Sequence, residues 1–437
     1  MINLNRKDFI KSSSILTGAT IASVSPVSSV FAAGSDVIKV ALIGCGGRGT
    51  GAAFDAMESG QNLKIVALAD AFQDAVDKAY DTLKKKYGDK IDVPDTRKYV
   101  GFDAYKAAIK DADVVLLTTP PGFRPIHFEE AVKAGKHIFM EKPVAVDIPG
   151  VRKVLEAAAE AKRKKLNVVV GLQRRYQKNY RETIQRIQDG AIGDIVSGQV
   201  FWNSGGVWVR PRKPSQTEME YQMRNWYYFN WLCGDHIVEQ HVHQLDVANW
   251  VKGKYPVSIQ GTASRAHRTG KEYGEIYDNF SMELTYDDGS VIFSQCRHFE
   301  GINNKVDEAF QGTKGRAYLS AGNQGLLYDW KGNEIFKYQS QNDPNPYRNE
   351  HVELFAAIAK GDYKFDNAEY GAYSTLTGII GRLAGYTGQV IKWNKALESN
   401  ISLMPEKFAW DANPKVLPDA NGNYPVAVPG LNTAQYI

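Results

Sequence analysis

Acidic and histidine side chains are concentrated in residues 231–250, which read WLCGDHIVEQHVHQLDVANW. Asp235 is placed to cap a helix that begins at His236. Within such a helix, Glu239 and His243 lie one turn apart on the same face. A carboxylate beside an imidazole can fix the tautomer and orientation of the ring, which suits proton transfer. We therefore predict that Glu239 and His243 take part in moving a proton.

The same helical face carries two more polar residues, His236 before Glu239 and Asp246 after His243, and we predict that both contact substrate. One alternative is a buried polar face whose histidines are satisfied structurally. Another is a metal site made of His236, Glu239 and His243. Its spacing is neither H-E-x-x-H nor H-x-x-E-H, so we predict no metal.

A lysine stands at the end of a short apolar segment. Residues 137–140 have the composition of a buried strand, and Glu141, Lys142 and Pro143 follow directly. In parallel sheets, ligands lie beyond the carboxyl ends of the strands. A lysine there can donate to the oxygen of a substrate hydroxyl as hydride leaves its carbon. We predict that Lys142 is catalytic, and the alternative is a solvated surface lysine.

An apolar run at residues 37–43 is rich in β-branched residues and predicts a buried parallel strand. Three glycines follow it at the spacing G-x-G-x-x-G. Gly44 permits a tight turn, Gly46 lets the backbone approach a pyrophosphate, and Gly49 lets the next helix pack against the sheet. The N-terminus of that helix would face the phosphates. The predicted phosphate-binding loop comprises Gly44, Gly46, Gly47, Arg48 and Gly49.

A second apolar run, residues 63–69, ends in Asp70. This is about 20 residues beyond the glycine motif, where an acid binds the adenosine ribose hydroxyls. No Arg or Lys is adjacent to Asp70 in the sequence, so a 2′-phosphate would meet an unpaired carboxylate and NAD is favoured over NADP. The alternative is an ordinary strand–glycine–helix turn with a capping Asp. The residues expected near the nicotinamide half are Thr119, Pro120, His127, Glu141 and Lys142.

Strands alternate with helices from residue 37 to about 140, which predicts a doubly wound parallel sheet. After Asp194, strands follow one another without long helices and predict an open, mostly antiparallel sheet; they lie at 195–203, 257–266, 277–286 and 290–297. Two closing helices are expected at about 348–360 and 368–386. The predicted α/β protein has four parts, namely an N-terminal extension at 1–33, an NAD-binding domain at 36–145, a substrate-binding α+β domain at 146–400 and an irregular tail at 401–437.

Composition limits the classes of function. A chain of 437 residues has room for two domains, and 43% apolar with 23% charged residues is usual for a globular protein. The net charge of +4 is mild and gives no reason to expect a nucleic-acid partner. The three cysteines are far apart and odd in number, so they predict neither a disulfide framework nor a zinc site.

Residues 1–33 have the features of a targeting segment. Arg6 and Lys7 precede a weakly apolar run rich in Ser, Thr and Ala. The pattern N-R-K-D-F-I-K is similar to a twin-arginine export signal, with Lys7 in place of the second arginine. The run is too polar for a firm membrane anchor. We predict an exported, periplasmic protein whose NAD leaves the cytoplasm already tightly bound; the alternative is a cytoplasmic protein with an N-terminal extension.

Four features occur in order along the chain: the glycine loop, the run ALAD ending in Asp70, the run TTPPGFRPIHFEEAVKAGKHIFMEKPVAVD and a later acid-x-x-x-His. Together they resemble the Gfo/Idh/MocA family of NAD(P)-dependent oxidoreductases, over about residues 37–386. The resemblance implies a Rossmann domain and an open-sheet domain that lays the substrate on the nicotinamide. It also implies sugars, inositols or related polyols as substrates, and a dimer or tetramer.

By position, Lys142 matches the catalytic lysine of the family and His243 its catalytic histidine, whereas Glu239 stands where the family has Asp. A segment that often lines the substrate site in the family corresponds to Arg174, Arg175 and Tyr176. Residues 202–226, which include Trp226, are similar only to a subgroup of exported bacterial members. Their aromatic and arginine side chains are expected either to bind a sugar or to form a dimer contact or core.

These observations predict an NAD-dependent oxidoreductase that transfers hydride between nicotinamide and a carbohydrate hydroxyl or ketone. One alternative is a redox-neutral glycosidase that oxidises the sugar transiently, eliminates the aglycone, adds water and reduces the product again. Another is a protein that binds NAD or sugar without turnover. The expected partners are a small carbohydrate and further copies of the same chain.

Overall fold

The computed structural model describes residues 37–431 and 433–436, and its first six strands form one wholly parallel sheet. The strands are β1 (Ile38–Ile43), β2 (Leu63–Asp70), β3 (Lys98–Val100), β4 (Val114–Leu117), β5 (His137–Met140) and β6 (Val168–Val170). Their spatial order is β3–β2–β1–β4–β5–β6, so the direction of winding reverses between β1 and β4. The predicted doubly wound sheet is confirmed, and the crevice at this reversal is where such folds bind their ligands.

Helices connect these strands. They are α1 (Gly47–Met57), α2 (Gln73–Tyr87), α3 (Ala104–Asp111), α4 (Arg124–Lys133) and α5 (Ile148–Arg163). Along β1, Val40 and Leu42 belong to one buried core, and Ala41 and Ile43 to another. Burial on both faces explains why these strands read as continuous apolar runs rather than as alternating patterns.

The parallel sheet extends past residue 145, where the sequence placed the end of the first domain. Asp147 caps α5 by accepting a hydrogen bond from the Gly150 N–H at 2.8 Å. The helix then leads back to β6, which pairs in parallel with β5. The predicted boundary was too early because α5 and β6 repeat the strand–helix pattern once more.

The second sheet has nine strands: β7 (Ile195–Ser204), β8 (Ser258–Ser264), β9 (Asn279–Thr285), β10 (Val291–His298), β11 (Lys305–Gly312), β12 (Gly315–Ser320), β13 (Gln324–Asp329), β14 (Glu334–Lys337) and β15 (Ile391–Lys392). Their spatial order is β14–β13–β12–β11–β7–β10–β9–β8–β15. The β7–β10 pair is parallel and the other pairs are antiparallel. The predicted open, mostly antiparallel sheet is confirmed.

Eight further helices follow β6 in the described part of the chain: α6 (Lys178–Gln188), α7 (Glu218–Arg224), α8 (Asn230–Cys233), α9 (His236–Glu239), α10 (Val242–Lys252), α11 (Pro346–Ala359), α12 (Ala368–Thr387) and α13 (Trp393–Ala396). Helix α11 packs on α1 and on the first sheet. Helix α12 packs on β8 and also on α5. It therefore links the second sheet to the last crossover of the first.

The helix predicted to run on from His236 is divided into α9 and α10. At the junction the His241 N–H donates to the His236 carbonyl, five residues back, instead of to a carbonyl four residues back. Such a widened turn interrupts the regular α-helical ladder. Glu239 and His243 therefore lie on two separate helices, and the expectation of one continuous face was wrong.

The chain has no helix or strand from 397 to 431. Two aromatic side chains of this tail pack on the first domain: Trp410 lies 5.0 Å from Phe72 and 4.6 Å from Phe102 between ring centroids, and Phe408 lies 6.1 Å from Phe102. Among the described residues, no helix combines the length and the apolarity needed to cross a membrane. The predicted export signal at 1–33 lies outside the described residues.

Candidate active site

The glycine loop joins β1 to α1 at the carboxyl edge of the parallel sheet. A Cβ added at Gly49 would lie 1.8 Å from the Gly44 carbonyl oxygen, so α1 packs against the loop as predicted. An added Cβ at Gly46 or Gly47 would meet no described atom within 4 Å. Gly46 and Gly47 therefore face open space, into which a dinucleotide fits closely against the backbone.

A cavity of about 900 Å³ lies over this loop. Nine of the eleven residues predicted to bind the cofactor line it: Gly44, Gly46, Gly47, Arg48, Gly49, Asp70, Thr119, Pro120 and His127. Glu141 and Lys142 do not line this cavity. The cavity has the size of a small-molecule site and forms the groove for the dinucleotide.

Asp70 stands at the end of β2 with its carboxylate held by backbone donors. Oδ2 accepts from the Cys45 N–H at 2.7 Å and Oδ1 from the Phe72 N–H at 3.0 Å. Burial raises the pKa of Asp70, while these two N–H groups oppose the rise. No Arg or Lys is adjacent to Asp70 in the sequence, but in the structure Arg224 of α7 lines the same cavity as Asp70.

Thr119 and His127 form a polar wall of the groove, since Thr119 Oγ1 lies 3.2 Å from His127 Nδ1. Burial, assisted by the charge of Arg124, lowers the pKa of His127 to about 3, so the ring is neutral. Its ring centroid lies 4.1 Å from that of Tyr105. His127 therefore offers the groove an uncharged surface.

Arg124 is a buried support that the sequence did not single out. Its guanidinium donates to three carbonyl oxygens beyond β4 and β5, those of Leu117 at 2.6 Å, Thr119 at 2.5 Å and Glu141 at 3.0 Å. Arg124 therefore ties the carboxyl ends of two neighbouring strands together. An arginine within a helix is usually expected at the surface, and no pattern in the neighbouring sequence indicated that Arg124 is buried.

Lys142 and Glu239 meet where the first domain faces α9. The Lys142 Nζ donates to the Glu239 carbonyl oxygen at 2.5 Å and to Oε1 at 3.0 Å. Only 11% of the Lys142 side chain and 9% of the Glu239 side chain are exposed. Two residues predicted to be catalytic from separate motifs thus form one buried ion pair.

His243 completes the predicted catalytic set. It is buried, and its ring stacks on Trp202 at 5.7 Å between centroids. Burial lowers the pKa of His243 well below its ordinary value, and the charges of Lys142, Arg174 and Arg48 lower it further. The imidazole is therefore neutral at physiological pH, which is the form that can accept a proton, although the lowered pKa makes it a weak base.

Two of the predicted substrate contacts are engaged in a buried ion pair. Arg175 donates to Asp246 from Nε at 2.9 Å and from Nη2 at 2.8 Å, and the Ser374 hydroxyl donates to the same carboxylate at 2.8 Å. Asp246 is 1% exposed. The pair joins the segment that follows β6 to α10, and Ser374 adds a contact from α12, so the structure gives Arg175 and Asp246 a structural role rather than a place against substrate.

His236 is fully buried, so its predicted contact with substrate is also corrected. Its Nδ1 lies 3.0 Å from Asp235 Oδ1, which also caps α9 by accepting from the His236 N–H at 2.5 Å. The other carboxylate oxygen accepts from the Tyr277 N–H and from the Tyr386 hydroxyl. This network fixes the start of α9. Because His236 is fully buried, its side chain does not reach a surface where a substrate could bind.

Arg174 and Tyr176 are buried too, at 2% exposure each. Arg174 donates to Glu308 at 2.9 Å, and the Tyr176 hydroxyl accepts from Asn367 at 2.6 Å. Trp226 differs, since it lines the dinucleotide groove. Of the six residues predicted to contact substrate, five therefore lie mainly in the protein interior, and one, Trp226, lines the dinucleotide groove.

A cluster next to the glycine loop brings together Arg48 and Glu141, which were both predicted near the cofactor, with Glu350, which the sequence did not single out. Arg48 donates from Nε to Glu141 at 2.5 Å, and its Nη2 lies 3.7 Å from Glu350 of α11. Burial raises the pKa of Glu350 well above its ordinary value, and the charge of Glu141 raises it further. Glu141 therefore supports the loop through Arg48.

Among the described residues, no three His, Cys, Asp or Glu side chains are grouped so as to hold a metal.

A dinucleotide groove at the switch point of a parallel sheet, with a buried Lys–Glu pair and a neutral histidine nearby, defines a nicotinamide-dependent oxidoreductase. Residues 38–171 match the oxidoreductase family with an NAD-binding Rossmann fold, and residues 180–318 match the GFO/IDH/MocA C-terminal domain. These matches cover more than half of the chain, which belongs to the Gfo/Idh/MocA family. It is therefore an enzyme, and this argues against the alternative of a protein that only binds.

Known proteins with a similar chain include an inositol 2-dehydrogenase of Rhizobium meliloti (strain 1021). It is 28% identical over 291 residues, which are 66% of this chain and 76% of the relative. An aldose-aldose oxidoreductase from Caulobacter crescentus, solved with glycerol, has a TM-score of 0.62 at 19% identity, over 82% of this chain and 100% of that one. A scyllo-inositol dehydrogenase from Lactobacillus casei, solved with NAD(H) and scyllo-inositol, has a TM-score of 0.61 at 20% identity, over 82% and 100%. At these identities the two structures establish the shared fold.

Proposed function

We propose that this enzyme oxidises or reduces a carbon that bears a hydroxyl group in a sugar, inositol or related polyol. The observation that carries this proposal is the buried contact between Lys142 Nζ and the Glu239 carboxylate, at 3.0 Å, beside the carboxyl end of β5. Bound NAD supplies the acceptor of a hydride, and bound NADH its donor. The inositol 2-dehydrogenase similarity supports a polyol substrate.

Each residue of the site has a distinct task in this proposal. Lys142 donates a hydrogen bond from Nζ to the substrate oxygen, which stabilises the negative charge that develops there. Glu239 holds the Lys142 ammonium in place and balances its charge. His243 is neutral and accepts the hydroxyl proton at a ring nitrogen during oxidation, and it returns that proton during reduction.

We further infer that NAD is preferred to NADP and stays bound between turnovers. The Asp70 carboxylate at the end of β2 supports the preference, since it would accept hydrogen bonds from ribose hydroxyls and repel a 2′-phosphate. A bound cofactor would suit export in the folded state, which remains a proposal that rests on residues 1–33. The dimer or tetramer also remains a prediction.

The test is absorbance in the NADH band of the purified protein, without added nucleotide, on mixing with free sugars, inositols and aryl glycosides. Stoichiometric appearance of bound NADH with a free sugar or polyol, which then stops, supports the proposal. Continuous release of aglycone without net NADH would identify the redox-neutral glycosidase, which the relatives above do not favour. Absence of any spectral change after loading with NAD, across the whole panel, would contradict the proposal.

A further inference from the structure

The dinucleotide groove has a second wall that comes from the other domain. Residues 205–226, here named the cover segment, connect β7 to the region of α8 and include α7. Several of its side chains line the same cavity as the glycine loop, namely Trp208, Arg210, Lys213, Met223, Arg224 and Trp226. The sequence left residues 202–226 as either a sugar-binding surface or a dimer contact or core, whereas in the structure several side chains of the cover segment line the cavity over the glycine loop.

An ion pair attaches the cover segment to the first domain. Arg224 donates to Asp74 through both terminal nitrogens, each at 2.8 Å, which is a bidentate geometry. The guanidinium carbon also lies 3.6 Å from the centroid of the Phe72 ring. Phe72 and Asp74 lie two and four residues after Asp70, which is predicted to bind the adenosine ribose. The attachment therefore closes the groove next to the predicted ribose site.

Two cations of the cover segment face the groove without a carboxylate partner. Among the described residues, no Asp or Glu oxygen lies within 4.0 Å of the charged nitrogens of Arg210 or Lys213. Arg212, which stands between them, does not line the cavity and instead pairs with Glu218 at 2.6 Å. Arg210 and Lys213 are exposed side chains that line the cavity with charges that no described carboxylate neutralises, whereas the charge of Arg212 is paired within the protein.

We propose that the cover segment is the second half of the cofactor site, in which Arg210 and Lys213 bind phosphate groups of the dinucleotide and the Arg224–Asp74 pair holds the cover in place. Groups with five or three donors and a fixed positive charge are suited to phosphate oxygens. The phosphates are those of the pyrophosphate, which NAD and NADP share, in keeping with the preference for NAD inferred above. This inference rests on the binding of the nicotinamide dinucleotide and not on the identity of the carbohydrate.

The first experiment measures the dissociation constants of NADH and NADPH for the full chain stripped of nucleotide, with no carbohydrate present. The variants are Arg210→Ala, Lys213→Ala and, as the matched control, Arg212→Ala. Each of the first two is expected to weaken binding about tenfold, as for loss of a hydrogen bond to a charged group. Equal losses for both nucleotides are expected, because the pyrophosphate is common to them, and a loss for NADPH alone would contradict the proposal. Losses no larger than that of Arg212→Ala would overturn the proposal.

The second experiment tests the attachment through the rate of NADH release. Arg224→Gln and Asp74→Asn are each expected to raise the release rate by up to about fivefold, the range for an ion pair with an exposed partner, and the double variant no further, because the two residues act through one contact. The thermal midpoint of the nucleotide-free protein serves as the control for folding. Unchanged release, or fully additive effects in the double variant, would refute the attachment. Failure to turn over any carbohydrate would leave both binding results unaffected.

Discussion

The Lys142 Nζ lies 3.0 Å from Glu239 Oε1 and 2.5 Å from the Glu239 carbonyl oxygen, although the two residues are 97 positions apart in the chain. The contact joins the end of β5 to α9 and therefore crosses between the two sheets. Both side chains are largely removed from water, so each charge depends on the other. The position of the Lys142 ammonium is thus set by the second domain.

Replacing Lys142 tests its role in proton and charge handling. Lys142→Ala should lower kcat by about 10²- to 10⁴-fold, the range typical of a positioned acid or base. NADH affinity should be unchanged, because Lys142 does not line the dinucleotide groove. Steady-state rates and nucleotide titration check this, with the exposed Lys133→Ala as the control. Turnover equal to that of the control would refute the assignment.

Glu239→Gln removes the carboxylate charge but keeps the backbone carbonyl that also holds Lys142. We expect a smaller loss of kcat than for Lys142→Ala, about tenfold, since the ammonium loses charge balance but retains one acceptor. The two kcat values measured under the same conditions decide the order. A loss greater than that of Lys142→Ala would mean that Glu239 itself performs the chemistry.

The Asp235–His236 pair should make stability depend on pH. Burial alone would lower the pKa of His236, but Cys296 and Asp235 raise it from 6.5 to about 10. The folded state therefore keeps a proton that the unfolded chain releases, so the stabilisation is complete below about pH 6.5 and fades as the pH rises towards 10. At low pH the wild-type protein should have a larger free energy of unfolding than the His236→Gln variant, and this difference should shrink as the pH rises from about 6.5 to about 10. A difference that stays constant with pH would contradict this account.

The close packing of α1 on the glycine loop can be tested without any substrate. Gly49→Ala places a Cβ 1.8 Å from the Gly44 carbonyl oxygen, so the loop must shift and NADH binding should fall at least tenfold. Gly51→Ala in the same helix is the matched control, because its Cβ meets only Arg48 Nη1, at 3.4 Å. Calorimetric titration with NADH distinguishes the two. Equal NADH affinities of the two variants would show that NADH binding does not require a glycine at position 49.

Local patterns were sufficient for the first sheet and for the residues at its carboxyl edge. The glycine spacing, Asp70 and Lys142 are each marked by a short apolar run that ends in a turn, and such signals are contained within a few residues. The division between α9 and α10 was not predictable in this way. It depends on a hydrogen bond from the His241 N–H five residues back and on the contact between His241 Nε2 and Ser294 at 2.7 Å, which joins distant parts of the chain.

Burial was the property that the sequence described least well. Arg174 and Arg175 were expected at the substrate from the family resemblance, and Asp246 from its place on one helical face with His243, yet each pairs with a residue of another element. The cover segment shows the opposite case, in which a stretch without a recognisable motif lies against the cofactor groove. Both results depend on pairings across the two sheets, which no local pattern encodes.

The most direct measurement of the central claim is the fate of a deuteron bound to the carbon that is oxidised. The NAD-loaded enzyme would be mixed with carbon-deuterated sugars and inositols, and the nucleotide would be released and analysed by mass spectrometry. With deuterium on the carbon that is oxidised, we expect NADH that carries one deuteron from the substrate. With deuterium only on the hydroxyl oxygen, we expect NADH without deuterium. Reduced nucleotide without deuterium from carbon, or no reduced nucleotide with any carbohydrate, would contradict the account.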